Sequence, residues 1–307
     1  MAAILARDNG ASSTPPSHIR VDPRPGHQPL RQDDPRRIGR FQLTARLGQG
    51  GMGTVYLGRS PGERLVAVKV IKAEFAADPT SRQRFTREIE AAHSVSGIHT
   101  ASVVDADPHS DPPWLATEYI PGPSLQDVLD QHGALPTKTL YTLAAGVAEA
   151  LEHIHARDII HRDLKPSNII VSNAGPRVID FGIALAVDST ALTRANHVVG
   201  TDGFRAPEQR PGASITPAVD LYAFGVVLCR SAGAEPFTED SESLESLLPS
   251  RLLGVVTRCL DHDPSRRPTP TEVLEQLSRN DSSSEGWLPP PVRTMVDLHN
   301  APTASAP

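Results

Sequence analysis

The feature that most constrains this chain is the segment from His161 to Asn168, which reads His-Arg-Asp-Leu-Lys-Pro-Ser-Asn and is soon followed by Asp180-Phe181-Gly182. Together the two motifs carry two carboxylates, an amide, a lysine and an arginine. Transfer of a phosphoryl group from a metal-bound nucleotide needs such a set: a carboxylate that orients a hydroxyl nucleophile, ligands for Mg²⁺, and a cation near the migrating charge. The alternative is a solvated charged loop between a helix and a strand, which would not require this combination.

A glycine-rich segment lies closer to the N-terminus, between two predicted strands. Residues 41–47 alternate apolar and polar side chains, which predicts a half-buried strand. Gly48 to Val55 then fit the pattern G-x-G-x-x-G-x-V. Dinucleotide-binding folds use similar glycines, but there the glycines open a helix, whereas Val55-Tyr56-Leu57 predicts another strand. We therefore expect the glycines at a hairpin tip, where backbone N–H groups can approach phosphates.

The strand that follows carries a single charge. Residues 65–71 are apolar except for Lys69, and a charge in an apolar strand needs a partner. Asp78 and Pro79 predict the start of a helix directly afterwards. Glu88 on that helix lies 88 − 69 = 19 residues after Lys69, and an ordinary surface position is the alternative for it.

These motifs resemble those of the bacterial eukaryotic-type (Hanks-type) serine/threonine protein kinases. The resemblance extends over roughly residues 41–277 and includes the catalytic loop, the V-A-V-K strand, Asp-Phe-Gly and the later Ala206-Pro207-Glu208. Lys165 is similar to the lysine that marks serine/threonine kinases. The resemblance implies an α+β, bilobal fold, with a small five-stranded antiparallel N-terminal lobe, one helix in that lobe, a hinge, and a mostly helical C-terminal lobe.

The resemblance also implies a phosphate end and an adenine end of an ATP site. At the phosphate end the implied residues are Asp163 (base), Asn168 and Asp180 (Mg²⁺, with Mn²⁺ as an alternative ion), Lys69 with Glu88 (α- and β-phosphates), Lys165 (charge on the γ-phosphoryl group) and Thr201 (substrate pocket). Around the rest of ATP they are Leu47, Gly48, Gln49, Gly50, Gly51, Met52, Gly53, Val55, Ala67, Lys69, Glu118, Ile120 and Ile170. Local evidence alone identifies the apolar members of this set only as core residues.

An activation segment is implied for residues 183–205. Its candidate phosphorylation sites are Thr193, and then Thr190 and Ser189. Arg162 precedes the catalytic acid and usually meets such a phosphate in similar kinases. Glu208 is expected to form a buried ion pair with Arg267, which would brace the lower lobe.

Composition sets the domain limits and the partners. Residues 1–39 and 280–307 are rich in Pro, Ser and charged residues and are expected to be disordered tails around a kinase domain at 40–279, with lobes at about 40–118 and 122–279. The net charge of −6 gives no reason to expect nucleic acid as a partner. No apolar run is long enough for a membrane span, and two cysteines are too few for a disulfide framework, so a cytoplasmic protein is expected.

These features predict a serine/threonine protein kinase that transfers the γ-phosphoryl group of ATP to protein hydroxyls and phosphorylates its own activation loop, with self-association during that reaction as a further expectation. Two alternatives stay open. A pseudokinase scaffold would lack a catalytic group. A small-molecule kinase would lack the Asp163-x-Lys165 pattern and the Gly-Thr…Ala-Pro-Glu segment, both of which are present.

Overall fold

The computed structural model describes residues 25–50, 53–72, 79–95, 97–181, 203–210, 214–234, 241–277 and 286–300. These residues form an N-terminal lobe built on an antiparallel sheet and a C-terminal lobe that is mostly helical. This is the bilobal α+β arrangement that the sequence predicted.

The sheet of the N-terminal lobe has six strands in the order β1-β2-β3-β4-β6-β5. The strands are β1 (Arg37–Ile38), β2 (Phe41–Gln49), β3 (Gly53–Arg59), β4 (Leu65–Ile71), β5 (Val103–Asp107) and β6 (Trp114–Glu118). Five of them were predicted from the sequence. The sixth is the short β1, which pairs with the first residues of β2.

The sheet has two different faces because side chains alternate along each strand. The outer face is covered by one apolar cluster, which contains Ile38, Phe41, Leu43, Tyr56, Val66, Val68, Trp114 and Ala116. On the other face, helix α1 (Pro79–His93) packs Phe85 and Ile89 against the sheet. Val55, Ala67 and Lys69 also belong to this second face, since Val55 is the cross-strand partner of Lys69.

The C-terminal lobe is organised around helix α4 (Ala218–Ser231), which is buried along almost its whole length. The helices around it are α2 (Leu125–His132), α3 (Thr137–His155), α5 (Ser241–Leu247), α6 (Ser250–Cys259) and α7 (Pro270–Leu277). Cys229 and Cys259 lie in this core, and burial raises the pKa of each thiol to about 12. Within the described ranges, no helix is both long enough and apolar enough to cross a bilayer.

A two-stranded hairpin lies where the lobes meet. It consists of β7 (Ile169–Ser172) and β8 (Gly175–Val178), which pair antiparallel. Just beyond the hairpin, the backbone N–H of Ile179 donates to the carbonyl of Asn168 at 2.9 Å. The hairpin therefore fixes the separation between the segment that ends at Asn168 and the segment that begins at Asp180.

The N-terminal residues from 25 to 39 are not a disordered tail, contrary to the expectation from composition. Asp34 is buried, Leu30 packs against the outer face of the sheet, and the backbone of Gln28 pairs with that of Arg46. One buried carboxylate and one apolar side chain attach this segment to an existing sheet. A count of apolar residues does not detect such an attachment. Residues 1–24 lie outside the described part of the chain.

The expected disorder from residue 280 is also wrong for residues 286–300. Helix α8 (Pro290–Asn300) buries Val292 and Val296 in the C-terminal core, and Leu288, just before the helix, is buried there as well. The indole of Trp287 donates to the carbonyl of Ser172 at 3.0 Å. The apolar spacing of four residues makes one helix face suitable for packing, and this periodicity outweighs the Pro/Ser content. The folded unit thus extends past the predicted boundary at 279.

Candidate active site

One buried carboxylate fixes the backbone at the start of the His161–Asn168 segment. Asp220, on α4, accepts hydrogen bonds from the backbone N–H groups of His161 and Arg162, both at 2.8 Å. His155 at the end of α3 lies 2.8 Å from the same carboxylate. Two consecutive N–H groups can converge on one side chain because Arg162 has a φ of 66°, in the left-handed region. The sequence analysis missed Asp220, although an acid in an apolar helix is a signal that a buried charge has partners.

His161 connects this segment to the strand end that precedes Asp180. Its side chain is fully buried, and burial lowers the pKa of the imidazole. Nδ1 accepts from the backbone N–H of Asp163 at 3.3 Å, so the proton of the neutral ring is on Nε2. Nε2 then donates to the carbonyl of Ile179 at 3.1 Å. The imidazole acts as a structural link between the two motifs.

Asp163, Lys165 and Asn168 form a compact polar cluster. The ammonium of Lys165 lies 2.8 Å from one carboxylate oxygen of Asp163 and 3.1 Å from the other. The amide nitrogen of Asn168 donates to the backbone carbonyl of Asp163 at 2.8 Å. This bond orients the amide so that its oxygen is the remaining polar atom. Both charged side chains are about one-quarter exposed, so solvent or a substrate can reach them.

Lys69 and Asp180 meet across the cleft between the lobes. Lys69 Nζ lies 3.0 Å from Asp180 Oδ2. Burial raises the pKa of Asp180, but the adjacent Lys69 ammonium more than reverses this effect, so the net pKa lies below the ordinary value of 3.8. Asp180 has a φ of 60°, a conformation that turns the chain sharply after β8. The upper lobe thus supplies a cation and the lower lobe an anion at one point.

The predicted adenine-binding side chains surround the cleft and remain partly accessible. Leu47, Val55, Ala67 and Ile170 are all half-buried, in contrast to the fully buried core of either lobe. Apolar surface left partly open in a cleft provides a place for a planar apolar ligand.

The hinge follows β6 and passes close to the lower lobe. Gly122 has a φ of 157°, and a Cβ at that position would lie 2.3 Å from the carbonyl oxygen of Val171. Glycine therefore allows the hinge to lie against β7. The backbone N–H of Glu118 is bonded to the carbonyl of Ser102 at 2.9 Å, and the carboxylate of Glu118 pairs with Arg177 at 3.1 Å.

The glycine-rich turn joins β2 to β3, as the sequence predicted for these strands. The backbone N–H of Gly50 donates to the carbonyl of Gly53 at 2.9 Å and closes the turn. A Cβ at Gly53 would lie 2.1 Å from the carbonyl oxygen of Val70, so this position requires glycine. A Cβ at Gly48 or Gly50 would meet nothing within 4 Å, so these two glycines line open space.

Glu208 and Arg267 form a bidentate ion pair below the cleft. The two guanidinium nitrogens lie 2.6 and 2.8 Å from the two carboxylate oxygens. Arg267 is almost fully buried and also donates to the carbonyls of Ala218 and Asp261, each at 2.9 Å. Its guanidinium lies over the ring of Tyr222 at 4.9 Å. Each of the three guanidinium nitrogens of Arg267 therefore has at least one fixed partner, which suits a structural role.

A narrow cleft adjoins Asp163 and contains part of the substrate-facing surface. Arg162, Phe204, Arg205 and Gln209 line it together with Asp163. The guanidinium of Arg230 lies over the ring of Phe204 at 4.3 Å. Several predicted residues fall outside the described part of the chain, or have side chains that do: Gly51, Met52, Glu88, Ser189, Thr190, Thr193 and Thr201.

The fold and these clusters define a class of protein. The protein kinase domain family matches residues 41–277, and the chain therefore belongs to that family. Members of this family generally use ATP and a divalent metal ion and act on proteins.

The relatives are bacterial serine/threonine-protein kinases. The chain is 47% identical over 281 residues to the "Probable serine/threonine-protein kinase PkwA" of Thermomonospora curvata, a match that covers 88% of this chain and 38% of PkwA. It is 44% identical over 281 residues to the serine/threonine-protein kinase AfsK of Streptomyces coelicolor, covering 85% of this chain and 35% of AfsK. The chain thus spans little more than a third of the length of these curated relatives.

Solved structures agree with the fold. The kinase domain of PknI from Mycobacterium tuberculosis superposes with a TM-score of 0.63 at 29% identity. The superposition covers 79% of this chain and 96% of that domain.

Proposed function

We propose that this chain is a serine/threonine protein kinase that transfers the γ-phosphoryl group of ATP to hydroxyl groups of proteins. The single observation that carries the proposal is the position of Lys69 and Asp180, which join the lobes at 3.0 Å while Asp163, Lys165 and Asn168 form one polar cluster in the lower lobe. The names of the bacterial relatives support the choice of serine and threonine as acceptors.

The donor set fits Mg²⁺. Asp180 would contribute a carboxylate oxygen, and Asn168 would contribute its amide oxygen, since its nitrogen is bonded to Asp163. These hard oxygen donors are of the kind that Mg²⁺ prefers, and one or two protein ligands are enough when phosphates and water complete the coordination. An ion held by Asp180 and Asn168 would supply positive charge where negative charge develops on the phosphates.

Lys69 would bind the α- and β-phosphates and thereby position the nucleotide. In the structure its ammonium contacts Asp180, so the phosphates and metal would enter between these two side chains. Glu88 would hold Lys69 in place from helix α1. The backbone N–H groups at the tip of the β2–β3 hairpin would contact the phosphates from above, where missing side chains leave space.

Asp163 would accept a hydrogen bond from the substrate hydroxyl and take its proton as the oxygen attacks the γ-phosphorus. A bond forms between that oxygen and phosphorus, the bond from phosphorus to the oxygen of the leaving ADP breaks, and phosphoprotein and ADP result. Lys165, 2.8 Å from Asp163, would offset the negative charge on the transferred group. Thr201 would help to shape the adjacent substrate pocket.

The adenine ring would lie between the half-buried side chains of the two lobes. Of the hinge groups, the N–H of Glu118 is already bonded within the protein, so Glu118 would contribute its carbonyl and Ile120 its N–H.

The protein would act in the cytoplasm and contact a second copy of itself when its activation segment is phosphorylated.

Incubation of purified protein with Mg-ATP and a generic basic protein tests this function. Phosphate on serine and threonine, absent in the Asp163→Ala variant, is the expected result. Nucleotide binding without any transfer would instead favour a pseudokinase scaffold. Transfer to a small molecule with no transfer to protein would favour a small-molecule kinase.

A further inference from the structure

We propose that residues 27–36, here called the N-terminal strap, position the glycine-rich turn for ATP, and that Asp34 is the residue through which they do so. This inference rests on the proposed kinase function, because it concerns the affinity of the same site for nucleotide. The strap lies on the outer face of the sheet, opposite the cleft, so Asp34 acts through other residues and does not touch the substrate.

The carboxylate of Asp34 is saturated with donors. Oδ2 accepts from the backbone N–H of Arg31 at 2.7 Å and from Nε of Arg46 at 2.6 Å. Oδ1 accepts from Nη2 of Arg46 and from the hydroxyl of Tyr56 at 2.8 Å. Asp34 and Arg46 are each less than one-tenth exposed. The Arg46 guanidinium holds the pKa of Asp34 well below its usual range, so the pair is charged at neutral pH.

These partners belong to the two strands that carry the glycine-rich turn. Arg46 on β2 and Tyr56 on β3 are cross-strand neighbours, so Asp34 ties the two strands together. The ladder is irregular directly after Arg46, where the register shifts before Gly48. The contact therefore acts at the base of the turn, at a point where regular pairing alone does not define the path of the chain.

The network continues from Asp34 into the turn itself. Nη1 of Arg46 donates to the side-chain oxygen of Gln49 at 3.1 Å. Gln49 is the residue between Gly48 and Gly50, and neither glycine has an atom within 4 Å of its would-be Cβ. Gly48 and Gly50 thus have open space where a side chain would lie, and the bond from Arg46 to Gln49 is a contact that can hold this part of the turn in place.

The other end of the strap reaches the hinge. Nε2 of His27 lies 2.9 Å from the hydroxyl of Tyr119, which stands between Glu118 and Ile120. The backbones of Gln28 and Arg46 exchange two hydrogen bonds, at 2.9 and 2.7 Å. The strap therefore connects the segment expected to bind adenine with the strand expected to lie over the phosphates.

The strap and its hydrogen bonds set the spacing between the hinge and the glycine-rich turn, so they should affect nucleotide affinity more than the chemical step. Asp163, Lys165 and Asn168 belong to the other lobe and make their contacts without the strap. Loss of the network should therefore raise KM for ATP while kcat changes little, because a contact that acts equally on bound substrate and transition state does not alter the chemical barrier.

The full-length double variant Asp34→Leu/Arg46→Met tests this. Both buried charges are removed together, which avoids leaving one unpaired in the sheet. We expect the Kd of Mg-ATP and KM to rise about fivefold or more, with kcat within about twofold of wild type. Arg59→Met is the matched control, since Arg59 is at the far end of β3 in an exposed pair with Glu63, and its nucleotide affinity should match wild type.

Arg46→Lys is a second variant that leaves Asp34 paired. A single ammonium cannot reproduce the fork that serves both Asp34 and Gln49, so KM should again rise although the fold is kept. A thermal melt and circular dichroism establish folding, and if the double variant does not fold, Arg46→Lys decides. Unchanged affinity in folded variants, or an equal fall in kcat, overturns the role of the strap. If wild-type protein binds no Mg-ATP, both the proposed function and this inference are wrong. If wild type binds Mg-ATP and the folded variants bind it equally well, only the role of the strap is wrong.

Discussion

Lys69 and Asp180 lie 111 positions apart in the chain, yet their side chains are 3.0 Å apart and close the cleft between the lobes. The two side chains form an ion pair between the lobes. In the proposed reaction both would exchange this mutual contact for the phosphates and the metal ion. The pair therefore defines where the nucleotide enters and leads to the first two predictions.

Lys69→Met should reduce phosphoryl transfer by about 100-fold or more, because one preorganised cation at the phosphates is lost. The thermal melting temperature should stay near that of wild type, since methionine keeps the apolar stem. Lys72→Met is the matched control on the same segment and should retain activity. Radiolabel transfer from ATP to a basic protein measures the effect, and near-wild-type transfer by Lys69→Met would exclude the assigned role.

Asp180→Asn should weaken the binding of Mg-ATP by about tenfold or more, whereas binding of ATP in the presence of EDTA should change little. The reason is that the carboxylate is the only charged ligand proposed for the ion. Titration by calorimetry with and without Mg²⁺ measures the difference. Asp130→Asn on the exposed side of α2 serves as control. An equal loss with and without the ion would assign Asp180 a structural role instead.

Arg267→Met should destabilise the fold by about 3 kcal/mol, because it removes a buried cation with four hydrogen bonds and leaves the half-buried Glu208 without its bidentate partner. Urea unfolding measures this change in the free energy of unfolding. Arg258→Met, which breaks an exposed pair with Glu272, should cost less than about 1 kcal/mol. Similar costs for both variants would contradict the structural role of Arg267.

The Glu208–Arg267 pair also predicts a pH dependence. Burial raises the pKa of Glu208, but its bond to Arg267 more than reverses this, so the net pKa lies below the ordinary value of 4.5. A lowered pKa contributes stability above the unfolded value, and this contribution is lost as the pH falls through the folded value. Below pH 4.5 wild type should therefore lose stability more steeply than Glu208→Gln. If the free energy of unfolding falls equally with pH in wild type and in Glu208→Gln, the ion pair does not contribute this pH dependence.

Val296→Asp should release helix α8 from the C-terminal lobe, because a carboxylate would replace a fully buried side chain. Amide exchange over residues 290–300 should accelerate strongly and the free energy of unfolding should fall. Leu298→Asp is the control on the same helix, since Leu298 is 56% exposed, and its effect should be small. Equal exchange in both variants would mean that α8 is not docked in solution.

Thr193→Ala should lower activity severalfold if a phosphate on the activation segment orders the site through Arg162. A phosphate would add nearly two negative charges, which a guanidinium binds with charge-assisted hydrogen bonds. Mass spectrometry of active protein should find phosphate on Thr193 and none in Asp163→Ala. Full activity of an unphosphorylated Thr193→Ala protein would show that activity does not require phosphorylation of the activation segment. If the phosphate lies on Thr190 or Ser189 instead, the same substitution test applies to that residue.

The polar cluster could be anticipated from the sequence because its chemistry admits few substitutes. Two carboxylates, an amide and a lysine occur in one short run and one nearby motif, and local spacing is enough to predict that they lie close together. The hairpin position of the glycines also followed from local alternation, since Val55 to Leu57 predicted a strand where a dinucleotide fold would need a helix.

The missed features depend on contacts between distant segments. Asp34 was interpreted as part of a charged tail, and only the structure shows it bonded to Arg46 and Tyr56. Asp220 was not among the predicted site residues, and only the structure shows the backbone groups that it binds. In both cases one carboxylate finds donors on another element, and no local pattern identifies those donors. The periodicity of Val292 and Val296 was present but was outweighed by composition.

The two bonds from Asp220 have a practical consequence for work on this enzyme. Because they hold peptide groups and not side chains, the path of the loop does not depend on which side chains it carries at 163 and 165. A catalytically dead protein with Asp163 replaced should keep the native surface around its cleft. Such a protein is suited to capturing bound partners before they leave, which would identify the substrates of the proposed kinase reaction directly.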